Sequence, residues 1–173
     1  MANKESYDWR QYKEGKNTKE GQAFAHILVI PDQRIFNIVD PDATKDSCAV
    51  LKEMKEHFIK FWRQGGATKI LARVKEVVEE HITPGQDAGK DKIWATYDEM
   101  SGAYENLEPD DFAYTFHPFP DASVGHLHMH VYPKSDFFRK YSTEKHDWKN
   151  IPLDVVLAVE AEAASKSQIN DAD

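Results

Sequence analysis

The segment Gly125–Val131 (GHLHMHV) carries a histidine at every second position, His126, His128 and His130, with Leu127, Met129 and Val131 filling the positions after them. Alternation of this kind suits a strand with one face on a core and the other turned away. It predicts three imidazoles on one face about 6.6 Å apart and three apolar side chains on the other. Such a strand needs a neighbour to pair with and a helix layer to cover its apolar face. The neighbour is legible in Phe112–His117 (FAYTFH), where Phe112, Tyr114 and Phe116 point one way while Ala113, Thr115 and His117 point the other. The intervening PFPDAS reads as a Pro-rich turn between two adjacent strands.

The remaining elements follow from period and punctuation. Phe24–Ile30 (FAHILVI) is short, apolar and β-branched and stops at Pro31-Asp32, which predicts a buried strand, with a second short strand over Ile35–Val39. Val50, Leu51, Met54, Phe58, Phe61 and Trp62 share one helical face that closes at Gly65-Gly66. Ile70, Leu71, Val74, Val77 and Val78 mark a further helix stopped by Thr83-Pro84-Gly85. Within residues 85–111 only Lys92–Tyr97 reads as a short strand. A last helix is predicted from Pro152 to about Ala164, followed by a disordered tail, SKSQINDAD. The expected architecture is α+β: an antiparallel sheet of about five strands, two main helices and a C-terminal helix. Residues 1–20 read as an N-terminal extension, 21–150 as the main domain, and 151–173 as the C-terminal helix with its flexible tail.

Composition narrows the function classes. At 173 residues, 40% apolar, the chain suits one domain with a modest core. Thirty acidic against 22 basic residues leave a net charge of −8, which opposes an extended nucleic-acid surface because phosphate-backbone binding needs many Lys/Arg contacts. A few local donors still suffice for a small phosphorylated ligand. No apolar run approaches the roughly 20 residues of a membrane helix, and Met1–Arg10 lacks the apolar middle of a secretory signal. The lone Cys48, which reads as a small core residue, makes no intramolecular disulfide. The expectation is a cytoplasmic or nuclear protein without a membrane partner.

An exposed strand face can carry histidines simply as polar, strand-tolerant residues, but three in register between apolar neighbours call for chemistry. Imidazoles bind transition metals through neutral nitrogens, or act on a phosphate as nucleophile, proton donor and charge stabiliser. Three same-face positions on one strand do not converge on one ion without a further ligand, and the available recruit is His117 on the adjacent strand. A divalent metal on His126, His128 and His117 is therefore one reading, and phosphate chemistry the other.

At these residues the chain resembles the histidine triad superfamily, whose signature of histidines alternating with apolar residues is matched by His126-Leu127-His128-Met129-His130-Val131-Tyr132. Ala25–Arg34 (AHILVIPDQR) is similar to that family's strand ending in an Ile-Pro turn. Ser123-Val124 stands where the family has a Ser/Thr and an apolar residue. The similarity covers about residues 22–135. Within the superfamily, ILVIPD, ILARVKEVVEEH and the FH-PxP approach to HLHMH look most like the catalytic domain of scavenger mRNA decapping enzymes. The resemblance implies a nucleotidyl hydrolase or transferase that needs no cofactor. His128 would be the nucleophile at an α-phosphorus, His126 and His130 would position it and the phosphate oxygens, and Ser123 would donate to phosphate. Substrates would be a nucleoside phosphoramidate, a dinucleoside polyphosphate or a cap-like molecule, and the chain would pair as a homodimer. The sequence departs from the pattern at Ala122, where many members have Gln, and at Arg34, where many have His; Arg34 is a second candidate phosphate ligand. No acidic counterpart for ribose hydroxyls stands before the first strand. These departures keep two alternatives in view: a scaffold of this type with a histidine-bound metal and non-nucleotide chemistry, and a module that binds a nucleotide or phosphorylated ligand without turnover.

Other candidates carry less. Gly85–Lys90 (GQDAGK) is similar to a phosphate loop but is one residue short, ends in Asp91 where Ser/Thr is needed, and follows no predicted strand. His26, His57 and His81 are isolated and receive no role. His117 is a possible wall of the site, and His146 beside Trp148 belongs to an aromatic loop.

Overall fold

The computed structural model of the chain describes residues 24–32, 35, 47–81, 90–118, 125–139 and 144–170. Four strands, β1 (Ile27–Val29), β2 (Phe112–Phe116), β3 (Met129–Pro133) and β4 (Ile151–Pro152), form one antiparallel sheet in the order β1-β3-β2-β4. The registers Ile27↔Val131 and Tyr114↔Val131 align the alternating faces of the three longer strands. Ile27, Val29, Phe112, Tyr114, Phe116, Met129 and Val131 share one face. Leu28, Ala113, Thr115, His130 and Tyr132 share the other. The arrangement is α+β, with four strands among the described residues where about five were expected. Ile35 is not in a strand, and the rest of the expected strand over Ile35–Val39 lies outside those residues.

The first face is covered by α1 (Ser47–Phe61) and α2 (Ala67–His81), joined through a kink at Trp62–Gly66. Leu51, Met54, Phe58 and Trp62 recur at helical spacing and are buried. The Phe112 ring lies 5.1 Å from Phe58 and 4.6 Å from Trp62, edge to face, and the Trp62 indole N–H donates to the Leu107 carbonyl at 2.9 Å. The kink needs both of its glycines, for different reasons. Gly65 adopts φ +81°, the left-handed conformation that ends α1. A Cβ on Gly66 would stand 2.7 Å from the Phe61 ring and 2.8 Å from the Phe61 carbonyl oxygen, and the backbone cannot swing away as a side chain would. Gly66→Ala is expected to destabilise the protein by about 1–3 kcal/mol through overpacking. Urea unfolding should show this as a lower midpoint at unchanged slope, and an unchanged midpoint would mean that the kink yields freely.

The strand expected at Lys92–Tyr97 is instead part of a helix, α3 (Lys90–Tyr104). Ile93-Trp94-Ala95-Thr96-Tyr97 is locally strand-prone, but the residues that become buried are Tyr97, Met100 and Tyr104, spaced three and four apart. They join an aromatic cluster in which Tyr104 meets Trp62 at 5.2 Å, Phe24 at 5.8 Å and Phe138 at 5.9 Å. Burial of that face outweighs the local preference. The last helix, α5, runs over Leu153–Asn170 and so includes SKSQIN, where disorder was expected. The Ala- and Glu-rich stretch before it and the absence of Gly or Pro let the helix continue. Between β3 and β4 the chain forms a single turn, α4 (Asp136–Arg139), and a 3₁₀ segment, Glu144–Lys149. No helix among the described residues is long and apolar enough to cross a membrane.

Candidate functional site: an imidazole cluster on the second face of the sheet

The second face carries the histidines, and its register explains their grouping. His130 sits in β3 opposite Leu28 of β1 and Thr115 of β2. Extending those pairings by alternation puts His26 and His117 on the same face, flanking it. His26 enters β1 directly after Ala25, whose φ of +55° turns the chain into the strand. The ring of His130 lies 4.0 Å from that of His117, 4.8 Å from that of His128 and 5.0 Å from that of His26, which stacks on it at 23°. His26, His128 and His130 are all buried.

Each ring is held by a specific contact. The Nδ1 of His128 is 2.7 Å from the carbonyl oxygen of His126. A carbonyl only accepts, so this nitrogen carries the proton and the neutral ring keeps its lone pair on Nε2. That Nε2 has no hydrogen-bond partner among the described residues. His126 does not continue the row. It precedes β3, and its two nitrogens face the carbonyls of Ile35 and Pro31 at 3.2 and 3.1 Å, while the neighbouring Leu127 N–H donates to the same Ile35 oxygen at 2.8 Å. Its ring ties the turn after β1 to the approach to β3. The expected single row of three imidazoles is thus corrected: His128 and His130 adjoin each other, and His126 is turned onto backbone.

His26 and His130 share a proton across a 2.9 Å contact between His26 Nε2 and His130 Nδ1. Burial pushes His26 down to about 3, with the neighbouring His117 and His128 adding to the effect. His130 is held well below the ordinary histidine range, first by burial and then by His26, His117, His128 and Lys149. Both rings are neutral at pH 7. His130 Nε2 is buried and lacks a partner among the described residues, which is costly unless a ligand or water meets it.

The segment after β3 closes over this face. The Arg139 guanidinium lies 5.7 Å over the Tyr132 ring and binds both carboxylate oxygens of Asp147, at 2.6 and 2.8 Å. Beside it runs a groove of about 950 Å³ whose lining includes Lys55, Tyr114, Lys134 and Arg139, and whose lining residues Thr115, Tyr132 and Asn150 also back the cluster. No histidine of the cluster lines that groove, so the groove and the imidazoles are neighbours across a wall.

Two expected phosphate ligands, Ser123 and Arg34, lie outside the described residues, as does Ala122. His26, which spacing alone leaves isolated, is a central member. Its signal was present in AHILVIP, where alternation sets it on the face opposite Ile27 and Val29; what was missing was that β1 pairs with β3. The metal set expected from His126, His128 and His117 does not assemble: among the described residues no three His, Cys, Asp or Glu side chains are grouped to hold an ion. His126 is engaged with two carbonyls and His117 Nε2 with Asn150 at 2.8 Å.

No protein-family model, curated protein or solved structure matches the chain.

Proposed function

We propose that this protein is a nucleotidyl hydrolase or transferase of the histidine triad type, with His128 as its nucleophile. The observation that carries the reading is the 2.7 Å contact from His128 Nδ1 to the His126 carbonyl, which leaves the Nε2 lone pair unpartnered. An imidazole fixed in one tautomer is ready to attack and needs no reorganisation when it does. Nε2 forms a bond to the α-phosphorus as the bond from phosphorus to the leaving group breaks, and the leaving group departs with a proton taken from solvent water. The positive charge on the nucleotidyl-imidazole is eased by the Nδ1–H donating to the carbonyl. Water then adds to phosphorus and gives up a proton to solvent, the N–P bond breaks, and a nucleoside monophosphate and the free neutral ring are released. With the shared proton on His26 Nε2, His130 carries its own proton on Nε2 and can donate it to a phosphate oxygen. Ser123 and Arg34 are the further phosphate donors in this proposal, which also includes a homodimer and a cytoplasmic or nuclear setting.

The metal alternative has a specific obstacle, since His126 and His117 would each have to leave the acceptors they now hold. The test is chromatography of adenosine phosphoramidate, a diadenosine polyphosphate and a methylated cap dinucleotide after incubation with untreated and chelator-treated protein. Hydrolysis of one of them by the chelated protein is expected and identifies the substrate class. Hydrolysis only when metal is restored would favour the metal reading, and tight binding without product would favour the binding module.

A further inference from the structure

We propose that Asn150 is a positioning residue that locks the tautomer and orientation of His117 and, through it, the stance of His130 in the imidazole cluster. This rests on the nucleotidyl reading for its kinetic consequence but not for its structural one. Asn150 stands where the sheet register puts it: β4 pairs Ile151 with Phe116 and Pro152 with Thr115, so the next pair outward is Asn150 with His117. Its backbone N–H is anchored on the Asp147 carbonyl at 3.1 Å. The side-chain Oδ1 accepts from His117 Nε2 at 2.8 Å and from the Thr115 hydroxyl at 3.5 Å, while Nδ2 donates to the Tyr132 hydroxyl at 3.3 Å.

An amide oxygen only accepts, so in this orientation the His117 proton resides on Nε2. The reverse orientation would put the lone pair there, so the tautomer itself reports whether the assignment holds. Fixing the ring matters because His117 is the closest ring to His130, at 4.0 Å, and His130 in turn contacts His128 and hydrogen-bonds His26. Neutrality matters as well. A carboxylate at position 150 would accept the same hydrogen bond but favour the imidazolium form of His117 beside His26, His128, His130 and Lys149. The amide holds the ring without drawing a positive charge into the cluster.

The experiment is ¹⁵N-detected NMR of the histidine rings in the full chain, combined with kcat and KM across pH for the wild type, Asn150→Ala and Asn150→Asp. The wild-type His117 is expected as a single tautomer protonated on Nε2. Asn150→Ala should lose that single tautomer and lower kcat about tenfold or more, as misplacement of a reacting group does, with KM changed less than threefold. Asn150→Asp, whose carboxylate accepts the same hydrogen bond, should restore the Nε2-protonated form and most of kcat. A residue that merely anchored the loop would leave the His117 tautomer unchanged in Asn150→Ala. A wild-type ring protonated on Nδ1, or an alanine variant with the wild-type tautomer and kcat, would overturn the proposal. Absence of turnover in the wild type would instead count against the nucleotidyl reading, and the NMR result would decide the role of Asn150 by itself.

Discussion

Replacing His128 by asparagine is expected to lower kcat/KM by about 10³-fold or more, a loss of about 4 kcal/mol of transition-state stabilisation. Asparagine is chosen because its Nδ2 can still donate to the His126 carbonyl as Nδ1 does now, so the approach to β3 keeps its hydrogen bond while the nucleophile is gone. Thermal unfolding should therefore move little. A labelled substrate would leave no acid-labile phosphorus–nitrogen adduct on the variant, whereas the wild type should accumulate one when quenched early. His126→Ala should behave differently. Its ring contacts the Pro31 and Ile35 carbonyls, so its loss is expected to loosen the turn after β1 and to appear in stability as well as in rate. Full turnover by His128→Asn on the true substrate would end the covalent mechanism.

The second large effect is on stability in mild acid. His26 and His130 are neutral in the folded protein because burial depresses both, His26 to about 3 from 6.5. In the unfolded chain each takes up a proton near its ordinary value, so below pH 6.5 the unfolded state binds more protons and stability falls with pH. The contribution of the two neutral rings is fully present above about pH 6.5 and is lost as pH drops from there toward the folded values. Each ring adds a slope of about 1.4 kcal/mol per pH unit, so the pair is expected to remove about 4 kcal/mol between pH 7.5 and 5. Urea midpoints measured across that range should show it. His26→Gln offers His130 an amide in place of the ring and removes one titration, and it should roughly halve the slope. A stability flat from pH 7.5 to 5 would show that these rings accept protons without leaving the fold.

What a chain determines alone is the facing of its own residues. Alternation in GHLHMHV marked Leu127, Met129 and Val131 for the core, and all three are buried. The 3–4 spacing in the segment ending at Trp62 marked a helix and its inward stripe, of which Leu51, Met54, Phe58 and Trp62 are buried and Val50 and Phe61 partly so. Both signals are local, because a residue's direction follows from the period of the backbone it sits on. The α+β class follows from the same signals, since strands and helices each expose one apolar face that the other can cover.

Tertiary structure decided which faces meet. His26 and His130 are 104 residues apart, and only the pairing of β1 with β3 brings their nitrogens to 2.9 Å. His117 gained its place against His130 from the register of β2, and Asn150 its place on His117 from two residues of β4. His126 left the row because Pro31 and Ile35 offer carbonyls that alternation within one strand cannot foresee. Residues 92–97 became helical because Tyr97, Met100 and Tyr104 found an aromatic core assembled from distant segments, and burying those rings outweighed the strand preference of Ile93-Trp94-Ala95-Thr96-Tyr97. Periodicity tells each element which side to turn inward; the partner on that side, and hence the hydrogen bond that sets a tautomer or neutralises a ring, exists only once strands from distant parts of the chain are in register.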